Sequence, residues 1–294
     1  MPVRPSPGLA LLGSCNLAAH LAAIRAQDLR VVGCWSEDSV VTENLVFAEP
    51  SQALSHPETQ GIVVCTPLHE REHWVRQAVR AAKPVLCVAP PAKNFTHMVQ
   101  LEAEAKEAGV QILLVSRLRL HADGWPIRPV GVLYFSLRAD IPRHLLHDTR
   151  EGVLLHWGAE LLQVMADRFG PLESVYARTR SLGINRPEED QVSALLRFRN
   201  GVEGLAEFNG LGEGAGVELR EWSAAGVGEF RVLWGTLTAQ LLEPHYREFK
   251  ALLTGGQLPG TNLAARLEGF RWAEWLQQSA RLDREIHAKE VVHG

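Results

Sequence analysis

The chain has 294 residues, 46% of them hydrophobic and 22% charged, an ordinary globular profile with enough length for two domains of ~100–200 residues. The formal net charge is −4 and no basic run stands out, which argues against nucleic acid as a main partner, because neutralising phosphates takes clustered Lys and Arg. No apolar run approaches the ~20 residues that span a bilayer, and "MPVRPSPG" reads as a short lead without a signal-peptide pattern, so the expectation is a cytoplasmic protein with no membrane partner.

The chain opens with "GLALLG" (8–13), a short apolar run ending in Gly, followed by the Ala-rich, helically spaced "NLAAHLAAIRAQ". Apolar runs recur at 29–35, 61–67, 83–90 and 110–116, with helical segments at 69–82 and 96–109 and a polar stretch after residue 35. Nearly continuous apolar strands alternating with helices predict a parallel sheet covered on both faces. Residues 1–118 therefore read as a doubly wound, Rossmann-like dinucleotide-binding domain. Residues 119–294 change character. Strands are expected at 131–139, 173–182, 191–199, 202–209, 217–226 and 228–235, and helices at 151–170 and 262–286. The pair joined around Asn200-Gly201 carries a hairpin signal. Without intervening helices these strands should form an open, mainly antiparallel sheet in an α+β domain, and helix 262–286 has the option of packing back on the first domain.

Two features invite metal chemistry. Cys15, Cys34, Cys65 and Cys87 each fall at or just after the end of a predicted strand, but none makes a C-x-x-C pair, and they read as small buried apolar side chains. "HEREH" (69–73) matches H-E-x-x-H letter by letter, the signature of a zinc-binding helix. Leu68, Val75, Ala78, Val79 and Ala82 form the apolar stripe of that helix, and His69 and His73 lie off it. Glu70 and Glu72 complement the positive end of the helix dipole. The segment reads as a solvated helix start with no metal, His69 bordering a cofactor crevice.

"GSCNLAAH" (13–20) occupies the strand-to-helix turn where a dinucleotide fold places G-x-G-x-x-G. Gly13 supplies the first glycine. Cys15 stands at the second, where a side chain intrudes on the pyrophosphate, and Ala18 is acceptable at the third. The helix-terminal amides around Asn16 and Leu17 remain available to an anion. After the second strand, Ser36 takes the position that usually carries an acid for the ribose, and Glu37 follows. These letters leave NAD and NADP both open.

The order of elements, together with Gly13, "CTP" at 65–67, "AAKPVLCVAPPA" at 81–92 and "GVLLHWGAELLQVM" at 152–165, resembles the glucose–fructose oxidoreductase / inositol dehydrogenase (Gfo/Idh/MocA) superfamily over nearly the whole chain. The resemblance implies an NAD(P)-dependent oxidoreductase acting on a small sugar- or polyol-like molecule, and a homo-oligomer built through the C-terminal sheet. It implies cofactor contacts at Gly13, Cys15, Asn16, Leu17, Ser36, Glu37, Thr66, Pro67, His69 and Pro90. The chain departs from the superfamily where its chemistry lies. Ala89 replaces the Lys of Glu-Lys-Pro, while Pro90 remains with the option of a cis bond. The helix motif Asp-x-Gly-x-His-x-x-Asp reads His156-Trp157-Gly158-Ala159-Glu160-Leu161-Leu162-Gln163, so Glu160 takes the His position and Gln163 the second Asp. Leu68 stands for a frequent Asn and Arg71 for a frequent His, and 117–130 is too short for the usual linking helix.

Moving a hydroxyl proton during hydride transfer takes a positioned acid/base, contributing ~10²–10⁴-fold. Ala89 cannot do this. Glu160 can if burial raises its pKa, and His156, four residues earlier on the same helix, can pair with it. The competing reading is a catalytically inactive relative that keeps the fold as a nucleotide- or ligand-binding or assembly module.

Overall fold

The computed structural model describes residues 6–36, 46–116, 132–140, 152–182, 189–210, 216–224, 226–233, 237–257 and 259–291. The chain divides into two compact units, Met1–Arg117 with Thr236–Arg266, and Leu118–Gly235 with Leu267–Gly294. Segment 236–266 thus returns to the first unit, which a single cut at residue 118 does not include.

The first unit is a five-stranded parallel sheet of β1 (Gly8–Leu12), β2 (Arg30–Trp35), β3 (Gly61–Val64), β4 (Val85–Val88) and β5 (Ile112–Val115), in the order β2-β1-β3-β4-β5. Helices α1 (Leu17–Ala26), α2 (Pro50–Ser55), α3 (Leu68–Arg80) and α4 (Phe95–Glu107) lie between the strands in sequence. Strands β1, β3, β4 and β5 are buried throughout, the consequence of helices covering both faces. The order reverses between β1 and β3, and at such a switch point the strand ends open a crevice.

The sequence reading lacks two helices of this unit. The short α2, within the stretch read as polar, starts with Pro50 and has a capping box between Glu49 and Gln52. The second, Ala239–Leu253, carries Pro244 in its interior, a residue that normally marks a helix end and so hides this one. Thr238 caps it by accepting from Leu241 N at 3.3 Å. Its Leu242, Tyr246 and Phe249 join Leu9, Leu11 and Ile24 in the core, and Lys250 Nζ donates to Gln27 O at 2.7 Å.

The second unit holds a seven-stranded sheet in the order β11-β10-β6-β9-β8-β7-β12. Its strands are β6 (Val132–Asp140), β7 (Leu172–Arg180), β8 (Gln191–Phe198), β9 (Glu203–Asn209), β10 (Gly216–Ser223), β11 (Gly226–Leu233) and β12 (Ile286–His287). All pairs are antiparallel except β6 with β9, which run parallel. The Asn200-Gly201 hairpin forms as expected, with Gly201 at φ +85 and Phe198 N donating to Val202 O. The inner face packs Phe135, Phe198 and Phe208 beneath helix α5 (Ala159–Phe169); the Phe135 and Phe169 rings stack at 4.9 Å. Gly204 leaves the room that the Phe135 ring fills. Arg168 and Glu221, both almost fully buried, form a forked ion pair that ties α5 to the inner face of β10.

Candidate cofactor site

Every sequence-predicted cofactor residue within the described part sits at the C-terminal edge of the first unit's sheet. Gly13, Cys15, Asn16 and Leu17 follow β1, Ser36 follows β2, Thr66, Pro67 and His69 follow β3, and Pro90 follows β4. Glu37 lies outside the described residues. Gly13 holds φ +101, its amide donates to Trp35 O at 2.7 Å, and a Cβ there would lie 2.6 Å from Cys65 O. Glycine is thus required twice over, for the left-handed backbone and for the close approach of β3. Asn16 follows in a left-handed conformation, which Asn tolerates, and caps α1 without using its side chain. The first turn of α1 has no acidic residue.

Cys15 departs from the expectation that all four cysteines are buried. Cys34, Cys65 and Cys87 are buried, but Cys15 is exposed, because it replaces a glycine in a turn that faces outward. Its amide donates to Cys65 O at 2.9 Å. Cys65 Sγ in turn donates to Gly13 O at 3.2 Å, and burial, with the nearby Cys15 and Cys34, pushes its thiol pKa up. Thr66 Oγ1 is buried beside Gly13 with no partner among the described residues.

Arg71 is a functional residue that the helix reading passed over. It falls on the buried stripe of α3 with Leu68, Val75, Ala78 and Val79, while Ala82 lies past the helix end, exposed and at φ 53. Its guanidinium donates to Thr66 O at 3.0 Å and to Pro90 O at 2.9 Å, bracing the loops after β3 and β4. The Ala89–Pro90 bond between them is cis. Ala89 is buried and Lys93 exposed, so the ammonium missing at position 89 is not returned by Lys93 at a buried position. The signal was in the spacing, since position 71 is three after Leu68 and four before Val75.

His20, on α1, is 1% exposed, and its Nδ1 lies 2.6 Å from the Tyr246 hydroxyl. Burial lowers its pKa to about 4 and raises that of Tyr246. Charging the imidazole in an apolar core costs more than leaving it neutral. At the end of β2, the Trp35 ring meets Trp74 of α3 at 5.0 Å.

The residues of "HEREH" point in different directions. His69 is exposed against Glu70, and His73 packs edge-on against Trp74 at 4.7 Å. Burial works to raise the Glu72 carboxyl, but the bonds from His97 and Arg76 outweigh it and lower the pKa. Among the described residues, no group of three or more His, Cys, Asp and Glu side chains is arranged to hold a metal.

In the second unit the predicted acid/base residues share one distorted helix. Leu154–Gly158 form a π-helical turn that runs into α5. Such wide turns are uncommon and recur at functional sites. His156 lies within it, buried and edge-on to Trp157 at 5.2 Å, and Glu160, in the next turn, is partly exposed. Gln163, at the superfamily's second Asp, is committed elsewhere. Its Oε1 accepts from Gly269 N and its Nε2 donates to Asp167, both at 2.9 Å. Gly269 belongs to α7 (Leu263–Leu282), the helix Ala239–Leu253 being α6, and a Cβ there would collide with Ala159 O. Gln163 therefore joins two helices at a contact that only glycine permits.

Almost the whole chain superposes on solved oxidoreductases. The WlbA dehydrogenase from Bordetella pertussis, in complex with NADH and UDP-GlcNAcA, matches with a TM-score of 0.81 over 96% of this chain and 98% of its own, at 18% identity. A candidate myo-inositol dehydrogenase from Sinorhizobium meliloti gives 0.80 over 96% and 99%, at 15% identity. The chain shares the two-domain fold of these proteins, the fold that the resemblance to the glucose–fructose oxidoreductase / inositol dehydrogenase superfamily implies. An Agrobacterium radiobacter oxidoreductase in complex with NAD+, L-tartaric acid and magnesium matches at 0.77 over 98% and 100%, at 13% identity. At such identities the likeness is one of fold. No protein-family model matches the chain. Among the described residues, no helix is long and apolar enough to cross a membrane.

The residues at the crevice fit a dinucleotide in most respects. The Gly13 turn, the acid-free start of α1, the uncommitted Asn16 side-chain cap and the unpartnered Thr66 hydroxyl all suit a bound phosphate and ribose. Cys15 is the exception, since its side chain and its amide are both lost to the pyrophosphate.

Proposed function

We propose that the chain is an NAD(P)-dependent oxidoreductase acting on a small sugar- or polyol-like molecule with an atypical acid/base. The observation that carries this reading is the Gly13 turn at the β1/β3 switch point, where φ +101 and the absent Cβ are both required. Gly13, Asn16, Leu17, Ser36, Thr66, Pro67, His69 and Pro90 would hold the dinucleotide, with Cys15 crowding its phosphates. When bound, the nicotinamide supplies the hydride acceptor or donor. Glu160 takes up or returns the hydroxyl proton, and the buried His156 behind it sets its proton affinity. The resident compartment is the cytoplasm.

The partner of the second unit is a second copy of the chain, seated on the outer face of the seven-stranded sheet. That face exposes Leu195 and Leu205, paired across β8 and β9, and Val227 of β11, beside Trp222 and Tyr134. Across the same face Glu218, Arg138 and Glu207 sit in register on β10, β6 and β9. Alternating signs allow a two-fold copy to meet itself with opposite charges.

A second reading, that of an inactive binding module, is favoured by the buried Ala89 methyl and the structural commitment of Gln163. Titrating NADH and NADPH by nicotinamide fluorescence, then assaying Glu160→Gln, separates the two. Micromolar binding with a ~10²-fold or greater loss of turnover in the variant supports the enzyme. No binding at millimolar cofactor refutes it.

A further inference from the structure

We propose that Cys15 and Cys65 form a reversible disulfide across the β1/β3 crevice, and that this modification shuts the site to dinucleotide. The consequence for binding rests on the cofactor reading above; the disulfide itself does not. The Cys15 amide donates to Cys65 O at 2.9 Å. That backbone contact sets the two Cα atoms roughly 5–6 Å apart, inside the span that a disulfide bridges without moving the backbone. Cys65 Sγ already points toward the turn that carries Cys15, since it donates to Gly13 O at 3.2 Å.

The two thiols have complementary settings. Cys15 is exposed and meets an oxidant in solution, whereas Cys65 is fully buried and protected from it. With a hydroperoxide as oxidant, the Cys15 thiolate attacks the peroxide oxygen, the O–O bond breaks and one water or alcohol leaves. The resulting sulfenic sulfur is attacked by the Cys65 sulfur. The S–S bond forms, the S–O bond breaks, and the departing hydroxide leaves as water with the Cys65 proton. Two thiols lose two electrons and the peroxide gains them. The new bond would pin Cys15 over the turn whose backbone has to approach the pyrophosphate. A dithiol reverses the step by exchange.

The test uses the full-length reduced protein, treated with equimolar hydrogen peroxide, trapped with N-ethylmaleimide and digested without reductant. Trypsin is combined with a Glu-specific protease, because Cys34 and Cys65 share a tryptic peptide. The expected result is a Cys15 peptide joined to a Cys65 peptide with the loss of two hydrogens, released by dithiothreitol. Affinity for NADH falls tenfold or more on oxidation and returns on reduction. In Cys15→Ser and Cys65→Ser the link is absent, and in Cys15→Ser NADH affinity, whatever its starting value, no longer responds to peroxide. Oxidation that stops at a Cys15 sulfinic acid, a link from Cys34, or a linked protein that binds NADH as tightly as the reduced one would each overturn the proposal. If the reduced protein binds neither NADH nor NADPH, the cofactor reading fails, and the peptide link alone then decides for or against the pair.

Discussion

Acid should unfold the first unit through His20. In the folded chain burial holds this imidazole at about 4, against 6.5 for an exposed histidine. Above pH 6.5 both folded and unfolded chains carry it neutral, so nothing is lost. Between 6.5 and 4 the unfolded chain binds a proton that the folded chain refuses, and stability falls as pH falls. The gap corresponds to about 3 kcal/mol, of which roughly 2 kcal/mol is lost between pH 7 and 4.5. Tyr246, whose hydroxyl meets His20, and Cys65 of the same core are both pushed up by burial and stay protonated across that range. The comparison is His20→Asn, which keeps a polar atom near Nδ1 for the Tyr246 hydroxyl but does not titrate. Urea unfolding of both proteins at pH 7 and 4.5 gives the difference of differences. The wild type should lose about 2 kcal/mol more than the variant on acidification. Equal losses would show that His20 carries its proton in the folded state and that its burial is not what fixes its charge. Imidazole NMR provides the direct check, with the His20 resonance unshifted down to pH 5.

Gly13→Ala should cost about 1–3 kcal/mol, since Ala must hold φ +101 against Cys65 O; a lower melting temperature and weakened NADH binding measure it. Arg71→Met strips the donors from Thr66 O and Pro90 O and should lower stability by about 2–4 kcal/mol, read by urea unfolding; a neutral effect would mean that the loops stand without it. Gln163→Leu leaves the Gly269 amide without its side-chain acceptor and should cost about 1–3 kcal/mol, whereas Gln163→Glu keeps that acceptor but turns a carboxylate toward Asp167 and should recover only part of it. Leu205→Arg on the outer sheet face should leave the fold intact by circular dichroism and yield monomers by light scattering; an unchanged dimer would show that copies meet elsewhere.

The sequence by itself determined the class of fold. The apolar runs at 8–13, 61–67, 83–90 and 110–116 read as strands buried on both faces, and the alternation over 191–199 and 202–209, broken at Leu195 and Leu205, as a sheet with one covered face. Gly13 was legible for the same reason, because a glycine between a strand and a helix has a local conformational cause. Tertiary structure decided the rest. Pro244 argued against helix α6 locally, yet burying Leu242, Tyr246 and Phe249 in the first unit's core outweighs the lost bond. Arg71 read only as a replacement for a frequent His until the carbonyls of Thr66 and Pro90, on two other loops, were brought to its guanidinium. Gln163 and Gly269 stand 106 residues apart in the chain and bond across two helices. His20 and Tyr246 are unremarkable letters, and Cys15 and Cys65 stood out only by their places at strand ends. Their charge states and reactivity come from neighbours that no local pattern encodes, because desolvation and contact depend on which distant segments close over a group.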